Sequence, residues 1–180
     1  MMLVPKKSKE IYNVKIAHRG YHKNHGENTL EAFKEAMEND FAIETDIRIT
    51  KDGVLVCYHD RYLKRLLGSK GKISEYTYSE ILNMDIKDTK EKVPTLKQLL
   101  DLVDGKVVLL LEIKGNINKR LKMELCKQLN TYNGKVYFHT KNIFTYFYIK
   151  RIFGNKVFFV LDPIRKRFDF IKLHKKDYKM

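Results

Sequence analysis

Polar residues able to do acid–base and phosphate chemistry stand at the ends of apolar runs: His18-Arg19-Gly20, Glu44 with Asp46, His59-Asp60, and Glu112 with Lys114. Glu44 and Asp46 lie two apart in the stretch Phe41 to Ile49, which is rich in apolar and β-branched residues. A strand there points both carboxylates to one face and Ile43, Thr45 and Ile47 to the other. Burying two carboxylates is costly unless something compensates them, and a bound cation is the simplest compensation. An exposed polar face, or pairing with Lys or Arg, is the alternative. Glu112 and Lys114 close the most apolar run of the chain, which begins at Val107. The C-terminal end of a buried barrel strand is the usual place for catalytic residues, although such a strand can also simply end in polar residues.

His18 and His59 can act as general base and general acid near neutral pH. Arg19 offers a bidentate fork for phosphate, and Gly20 permits close backbone approach. Ligands that are all oxygen favour a hard cation, Mg²⁺ or Ca²⁺. Together these groups suit hydrolysis of an anionic phosphodiester, with the metal neutralising developing charge. The remaining histidines are weaker candidates, for which surface or packing roles are favoured: His22 and His25 in the loop after the first strand, which could line the mouth, His139 at the end of the fifth, which could face the site, and His174 in a basic tail. Phe144, Tyr146, Phe147, Tyr148 and Phe153 are expected to pack in the core, with some lining a lipid or glycerol pocket.

The elements that must position these groups can be read from periodicity and caps. Val14 to His18 reads as a strand. Asn28-Thr29-Leu30-Glu31 has the spacing of a capping box and opens a helix to about Asn39, with Leu30, Phe33, Ala36 and Met37 on one face. Lys51-Asp52-Gly53 is a turn, followed by a strand from Val54 to Tyr58. The few residues between these two runs allow either a hairpin or an extended return, because a parallel crossover needs about a dozen. A hairpin centred on Asp52-Gly53 sets Asp46 opposite His59. Residues 61–94 form an excursion with a short helix near Ser79–Met84. A capping box at Thr95 to Gln98 opens a second main helix. Then follow a buried strand at Val107–Ile113, a helix at about Ile117–Leu129, a strand at Val136–His139, a helix at Ile143–Ile152 and a strand at Val157–Leu161. Alternating strands and helices mean parallel β/α architecture. About six strands is fewer than a closed eight-stranded barrel, which takes about 250 residues.

With 180 residues, 43% hydrophobic and 32% charged, the chain has the composition of one folded domain. It has no run of about 18 apolar residues, which argues against a membrane-spanning helix. No apolar segment follows Lys6, Lys7 and Lys9, so a cytoplasmic location is expected. Cys57 and Cys126 are expected to be buried free thiols. The net charge of +14 favours anionic partners. Part of it comes from Arg165, Arg167 and the lysines around them, a tail that reads as an accessory contact for an anionic surface or as a frayed end. No recognised nucleic-acid motif accompanies the charge, so no specific nucleic-acid partner is expected.

The series Ala17-His18-Arg19-Gly20, Glu27-Asn28-Thr29 with Ala32-Phe33, Glu44-Thr45-Asp46, Thr50 to Gly53, His59-Asp60, Val93 to Leu96 and Leu111 to Lys114 resembles the glycerophosphodiester phosphodiesterase family in order and spacing. The likeness is close from Ile16 to Lys114 and looser from Val136 to Leu161. It implies a TIM-barrel-like α/β fold of the phospholipase-C-like phosphodiesterase type, incomplete here. Residues 11–163 would form the single domain, 61–94 a segment inserted over the site, and 164–180 the basic tail. It implies hydrolysis of glycerophosphodiesters or lysophospholipids to glycerol 3-phosphate and an alcohol. Glu44, Asp46 and Glu112 would bind the divalent cation, His18 and His59 would be the acid–base pair, and Arg19 and Lys114 would hold the phosphate. The chain departs from the family at Gly26, where Pro is usual, and at His139, where Ser-Phe is usual. Nothing in it resembles the last two βα units, and a partner chain, a self-associated dimer or the basic tail would cover the open edge. A catalytically impaired barrel fragment that binds phosphate ligands or polyanions is the alternative function.

Overall fold

The structure, a computed structural model, describes residues 14–115, 117–140, 142–154 and 157–159, the last three by backbone alone. The expected basic tail and the end of the sixth strand lie outside these residues. Five parallel strands follow the order β1 (Ile16–His18), β2 (Ala42–Ile49), β4 (Leu109–Ile113), β5 (Val136–Thr140), β6 (Val157–Phe159), and β3 (Leu55–Cys57) pairs antiparallel with β2. Among the described residues the sheet does not close on itself. The result is an open, TIM-barrel-like arrangement. Helices α1 (Leu30–Glu38), α4 (Leu96–Val103), α5 (Lys119–Asn130) and α6 (Ile143–Phe153) alternate with the strands. No described helix is long and apolar enough to cross a membrane.

Strand pleating sorts the side chains into two layers. Ala17, Ile43, Ile47, Leu109, Leu111 and Phe138 turn outward and pack with Phe33, Leu96, Leu99, Leu121 and Ile149 of the helices. Ile16, Ala42 and Leu110 form a small separate cluster on the other face. The next residues up that same face are His18, Glu44 and Glu112, so the inner face is apolar at its floor and polar at the strand C-terminal ends. The register fixes this layer: His18 lies opposite Glu44, Asp46 opposite Glu112, and Glu112 opposite His139.

β1 covers one half of β2's free edge (Ala42 to Glu44) and β3 the other (Ile47 to Ile49). The connection is thus a hairpin, but its register pairs Ile47 with Cys57, and the Tyr58 amide donates to the Asp46 carbonyl. Asp46 therefore stands opposite Tyr58, not His59. Thr50 sets the register, since its amide donates to the Val54 carbonyl and its hydroxyl accepts from the Val54 amide. That closes an odd-numbered loop, one residue away from a hairpin centred between Asp52 and Gly53.

The segment 61–94 makes its own apolar cluster on the outer end of β3, with Leu63, Leu67, Ile73, Ile81, Ile86 and Val93 packed against Val56 and Tyr58. It contains α2 (Lys64–Leu67), a 3-10 turn (Ile73–Glu75) and α3 (Tyr78–Leu82). The Thr95–Gln98 capping box forms as expected. At α1 the cap is Thr29, whose side chain accepts from the Ala32 amide, and not Asn28. Tyr146 and Phe153 pack inward, the latter with its ring centroid 4.5 Å from that of Phe138, whereas Phe144 is 81% exposed and Phe147 and Tyr148 also face outward. An apolar residue on a helix says nothing of which side faces the sheet, and on α6 the inner stripe is Thr145, Tyr146 and Ile149. Both cysteines are free, Cys57 buried and Cys126 partly so.

Candidate active site

The loop after β1 enters the site through two residues in the left-handed region, Arg19 (φ 62°) and Gly20 (φ 78°). A Cβ on Gly20 would lie 2.8 Å from the Ala32 backbone, so the loop can cross the first turn of α1 only with glycine there. The turn aims the Arg19 amide at both the Glu44 carbonyl (2.9 Å) and Glu44 Oε2 (3.1 Å). Its guanidinium donates from Nη1 to Glu27 Oε1 at 3.0 Å and places Nε 3.4 Å from Asp46 Oδ2.

His18, Arg19 and Lys114 converge on the carboxylates of Glu44, Asp46 and Glu112. His18 Nε2 is 3.9 Å from Glu44 Oε2. Lys114 Nζ lies 2.9 Å from Asp46 Oδ1 and 2.8 Å from Glu112 Oε1, ion-pair distances, although Asp46 Oδ1 has no partner of hydrogen-bond geometry. His59 sits at the rim on the residues after β3, its carbonyl accepting from Arg48 Nε (2.9 Å) and Nη2 (2.7 Å) and its Nδ1 2.7 Å from Asp60 Oδ1. Arg48 shares the inner face of β2 with Glu44 and Asp46, so one strand sets three of the site's charges.

Five further participants were given no site role, or only a secondary one, in the sequence. His139, for which a packing role was favoured over facing the site, is buried with Nε2 3.1 Å from Glu44 Oε1 and 4.0 Å from Glu112 Oε2. Its position at the end of β5, level with Glu112, was the available signal. Asn28 is buried at φ 60°, donates from Nδ2 to Asp46 Oδ2 (2.9 Å), and accepts from Thr45 Oγ1 (2.7 Å). Glu27 and Arg65 bind Arg19 and Asp60 from the loop and from α2. His25 bridges Glu35 (3.2 Å) and Glu91 (2.7 Å) and ties the loop to segment 61–94.

The electrostatics follow from crowding acids at a buried end of the sheet. Burial lifts the Glu44 carboxyl above its ordinary range and Asp46 adds to the lift; the bond to His139 offsets only part of it. Burial would also raise Asp46, but Lys114, His59, Arg19 and Asn28 outweigh it and hold that carboxyl low. Glu112 is likewise held low, with His139 and Lys114 overcoming burial. For His139 burial favours the neutral ring, yet the Glu44 hydrogen bond and the charge of Glu112 raise it.

Among the described residues, Glu44, Glu112 and His139 each offer one ligand atom, all within 4.8 Å of one another. Two carboxylates and an imidazole, with the buried Asp46 Oδ1 lacking a hydrogen bond beside them, are a donor set that fits a divalent cation. The group contains two of the three carboxylates expected to bind the cation, with the His139 imidazole beside them. Asp46 lies next to it, engaged by Lys114 and Asn28.

The model of the glycerophosphoryl diester phosphodiesterase family matches residues 18–152. A glycerophosphodiester phosphodiesterase of Caldanaerobacter subterraneus is 38% identical over 128 residues, 66% of this chain and 53% of that protein. One of Bacillus altitudinis is 34% identical over 111 residues, 57% of this chain and 45% of the relative. The chain spans about half the length of the curated relatives it matches. The solved glycerophosphodiester phosphodiesterase of Thermotoga maritima superposes with a TM-score of 0.69 at 28% identity, covering 91% of this chain and 68% of that one. An Oleispira antarctica phosphodiesterase in complex with its product sn-glycerol-3-phosphate gives a TM-score of 0.73 at 23% identity, covering 82% and 65%.

Proposed function

Because the chain belongs to the glycerophosphoryl diester phosphodiesterase family, we propose that it hydrolyses glycerophosphodiesters, lysophospholipids included, to glycerol 3-phosphate and an alcohol in a metal-dependent reaction. The observation that carries the reading is the convergence of His18, Arg19 and Lys114 on the carboxylates of Glu44, Asp46 and Glu112 at the strand ends, with His59 two residues beyond β3.

Glu44, Glu112 and His139 would hold the cation, with Asp46 adjacent. Mg²⁺ or Ca²⁺ follows from the carboxylates, and the imidazole admits softer divalent ions such as Mn²⁺. When bound, the cation supplies Lewis-acid polarisation of the phosphoryl group. Arg19 and Lys114 bind and orient the phosphate oxygens, Arg19 being steered by Glu27 and Asp46. One of His18 and His59 takes the proton from the attacking group, either water or the substrate's own glycerol hydroxyl; in the second case water then opens the cyclic phosphate so formed. The other gives a proton to the departing alkoxide, so charge balances across the step. The Asp60 carboxylate accepts from His59 Nδ1–H, which assigns the tautomer that leaves the other ring nitrogen as base. The proposed reaction is cytoplasmic.

The test is glycerol 3-phosphate release from glycerophosphocholine and glycerophosphoethanolamine with Mg²⁺, Ca²⁺, Mn²⁺ or a chelator. Release that needs a divalent ion supports the reading. Folded protein that gives none with any of the ions leaves phosphate-ligand binding without turnover.

A further inference from the structure

We infer that Arg65 is a positioning residue of the site: one guanidinium on the inserted segment holds Asp60 behind His59 and Glu27 behind Arg19, and so sets the spacing of acid–base and phosphate-binding groups. This deepens the proposed phosphodiesterase reading and rests on it. Arg65 donates from Nε to Asp60 Oδ2 (2.5 Å) and from Nη2 to Asp60 Oδ1 (3.0 Å). It also donates from Nη1 to Glu27 Oε2 (3.0 Å) and from Nη2 to Glu27 Oε1 (2.7 Å). Two of the four oxygens it grips also hold site groups: Asp60 Oδ1 lies 2.7 Å from His59 Nδ1, and Glu27 Oε1 accepts from Arg19 Nη1 at 3.0 Å. Glu27 and Asp60 come from different loops, and Arg65 is the bridge between them.

The fold does not depend on this bridge. α2 is anchored by Leu63 and Leu67, both buried in the apolar cluster of the inserted segment, and Gly68 ends it in the left-handed conformation. The Arg65 side chain is 49% exposed, where ion pairs add little to stability. Its geometry is specific all the same. Two parallel bonds to each of two carboxylates need a planar fork, which lysine cannot supply. Burial raises Asp60, but the Arg65 and His59 hydrogen bonds outweigh it and bring the carboxyl to about 2, so it stays a charged acceptor for His59 through the working pH range.

The experiment compares wild type with Arg65→Gln and Arg65→Lys, with and without Glu27→Gln plus Asp60→Asn, in Mg²⁺ buffer. The first readout is ¹⁵N NMR of the His59 ring at about pH 8.5, above the ordinary histidine range. Wild type should show one tautomer, protonated at Nδ1, and Arg65→Gln a mixture. This signal needs no turnover, so it tests the inference even if glycerophosphodiesters are not the substrates. The second readout is kcat/KM for glycerophosphocholine, expected to fall about 10–100-fold in both Arg65 variants, as for outer partners of other sites. The fall should be in kcat as well as KM, while the melting temperature moves by less than about 4 °C. In the Glu27→Gln, Asp60→Asn background Arg65→Gln should have no further effect. An unchanged His59 tautomer in Arg65→Gln, full activity in Arg65→Lys, or an equal loss in both backgrounds would overturn the inference.

Discussion

Asn28 is a buried side chain on which the site's central carboxylate leans, and replacing it with alanine tests how the acids are kept in place. Three losses coincide. The buried Asp46 Oδ2 loses its 2.9 Å donor, a bond to a charged group worth about 1.5–3 kcal/mol. The Thr45 hydroxyl, fully buried, loses the acceptor 2.7 Å away, at about 1–3 kcal/mol for an unsatisfied group. A left-handed φ of 60° passes from a residue that tolerates it to one that costs about 1–2 kcal/mol. These losses share partners and do not add in full, so Asn28→Ala should cost about 3–5 kcal/mol. For a chain of this size that lowers the melting temperature by about 6–20 °C. Asn28→Gly removes the backbone strain but keeps the other losses, and should recover about 1–2 kcal/mol relative to alanine. Urea unfolding of the three proteins at matched m-values measures both differences. If Asn28→Ala stays within about 1 kcal/mol of wild type, Asp46 is not being held as the structure has it; if Gly is no better than Ala, the strain argument fails.

Other predictions follow from the same geometry. Gly20→Ala sets a Cβ 2.8 Å from the Ala32 backbone at a φ of 78°, so the loop carrying Arg19 must shift. Calorimetry should show a loss of about 2 kcal/mol or more and the assay a large fall in turnover. Divalent cations should raise the melting temperature of wild type in proportion to RT ln(1 + [cation]/Kd), and should do so much less for Glu112→Gln or His139→Gln, an effect read by thermal shift without substrate. In acid, Asp60 contributes stability that is full above its ordinary value of 3.8 and lost as pH falls toward about 2, because its folded value is depressed. Glu27 shifts the same way, with burial outweighed by Arg65 and Arg19. Unfolding free energy measured down that pH range should therefore fall less steeply for Arg65→Gln than for wild type.

Much of this was legible because strand alternation is a rigid rule. Glu44 and Asp46 had to share a face, and the run ending in Glu112 and Lys114 had to be a buried strand whose polar end meets them. What escaped depends on contacts remote in sequence. His139 becomes part of the site only because β4 pairs β5 in the register that sets Glu112 beside it. Asn28 matches a capping pattern, and only the positive φ that carries the chain over α1 turns it toward Asp46 and leaves Thr29 to cap. The hairpin shifted by one residue because the Thr50 side chain closes the loop, an interaction the turn signal Asp52-Gly53 does not encode. The exposure of Phe144 and Phe147 shows the limit of composition on α6, where apolar residues lie on both faces.

The most direct measurement is a ³¹P NMR time course with glycerophosphocholine and Mg²⁺ or Mn²⁺, for wild type, His18→Ala and His59→Ala shown to be folded by circular dichroism. The account predicts that wild type produces the glycerol 3-phosphate resonance, that a chelator stops it, and that each histidine substitution lowers the rate by at least about 100-fold. A transient cyclic phosphate signal would identify the glycerol hydroxyl as the attacking group. Wild-type rates retained in both variants, or no turnover by folded wild type with any divalent ion, would contradict the account.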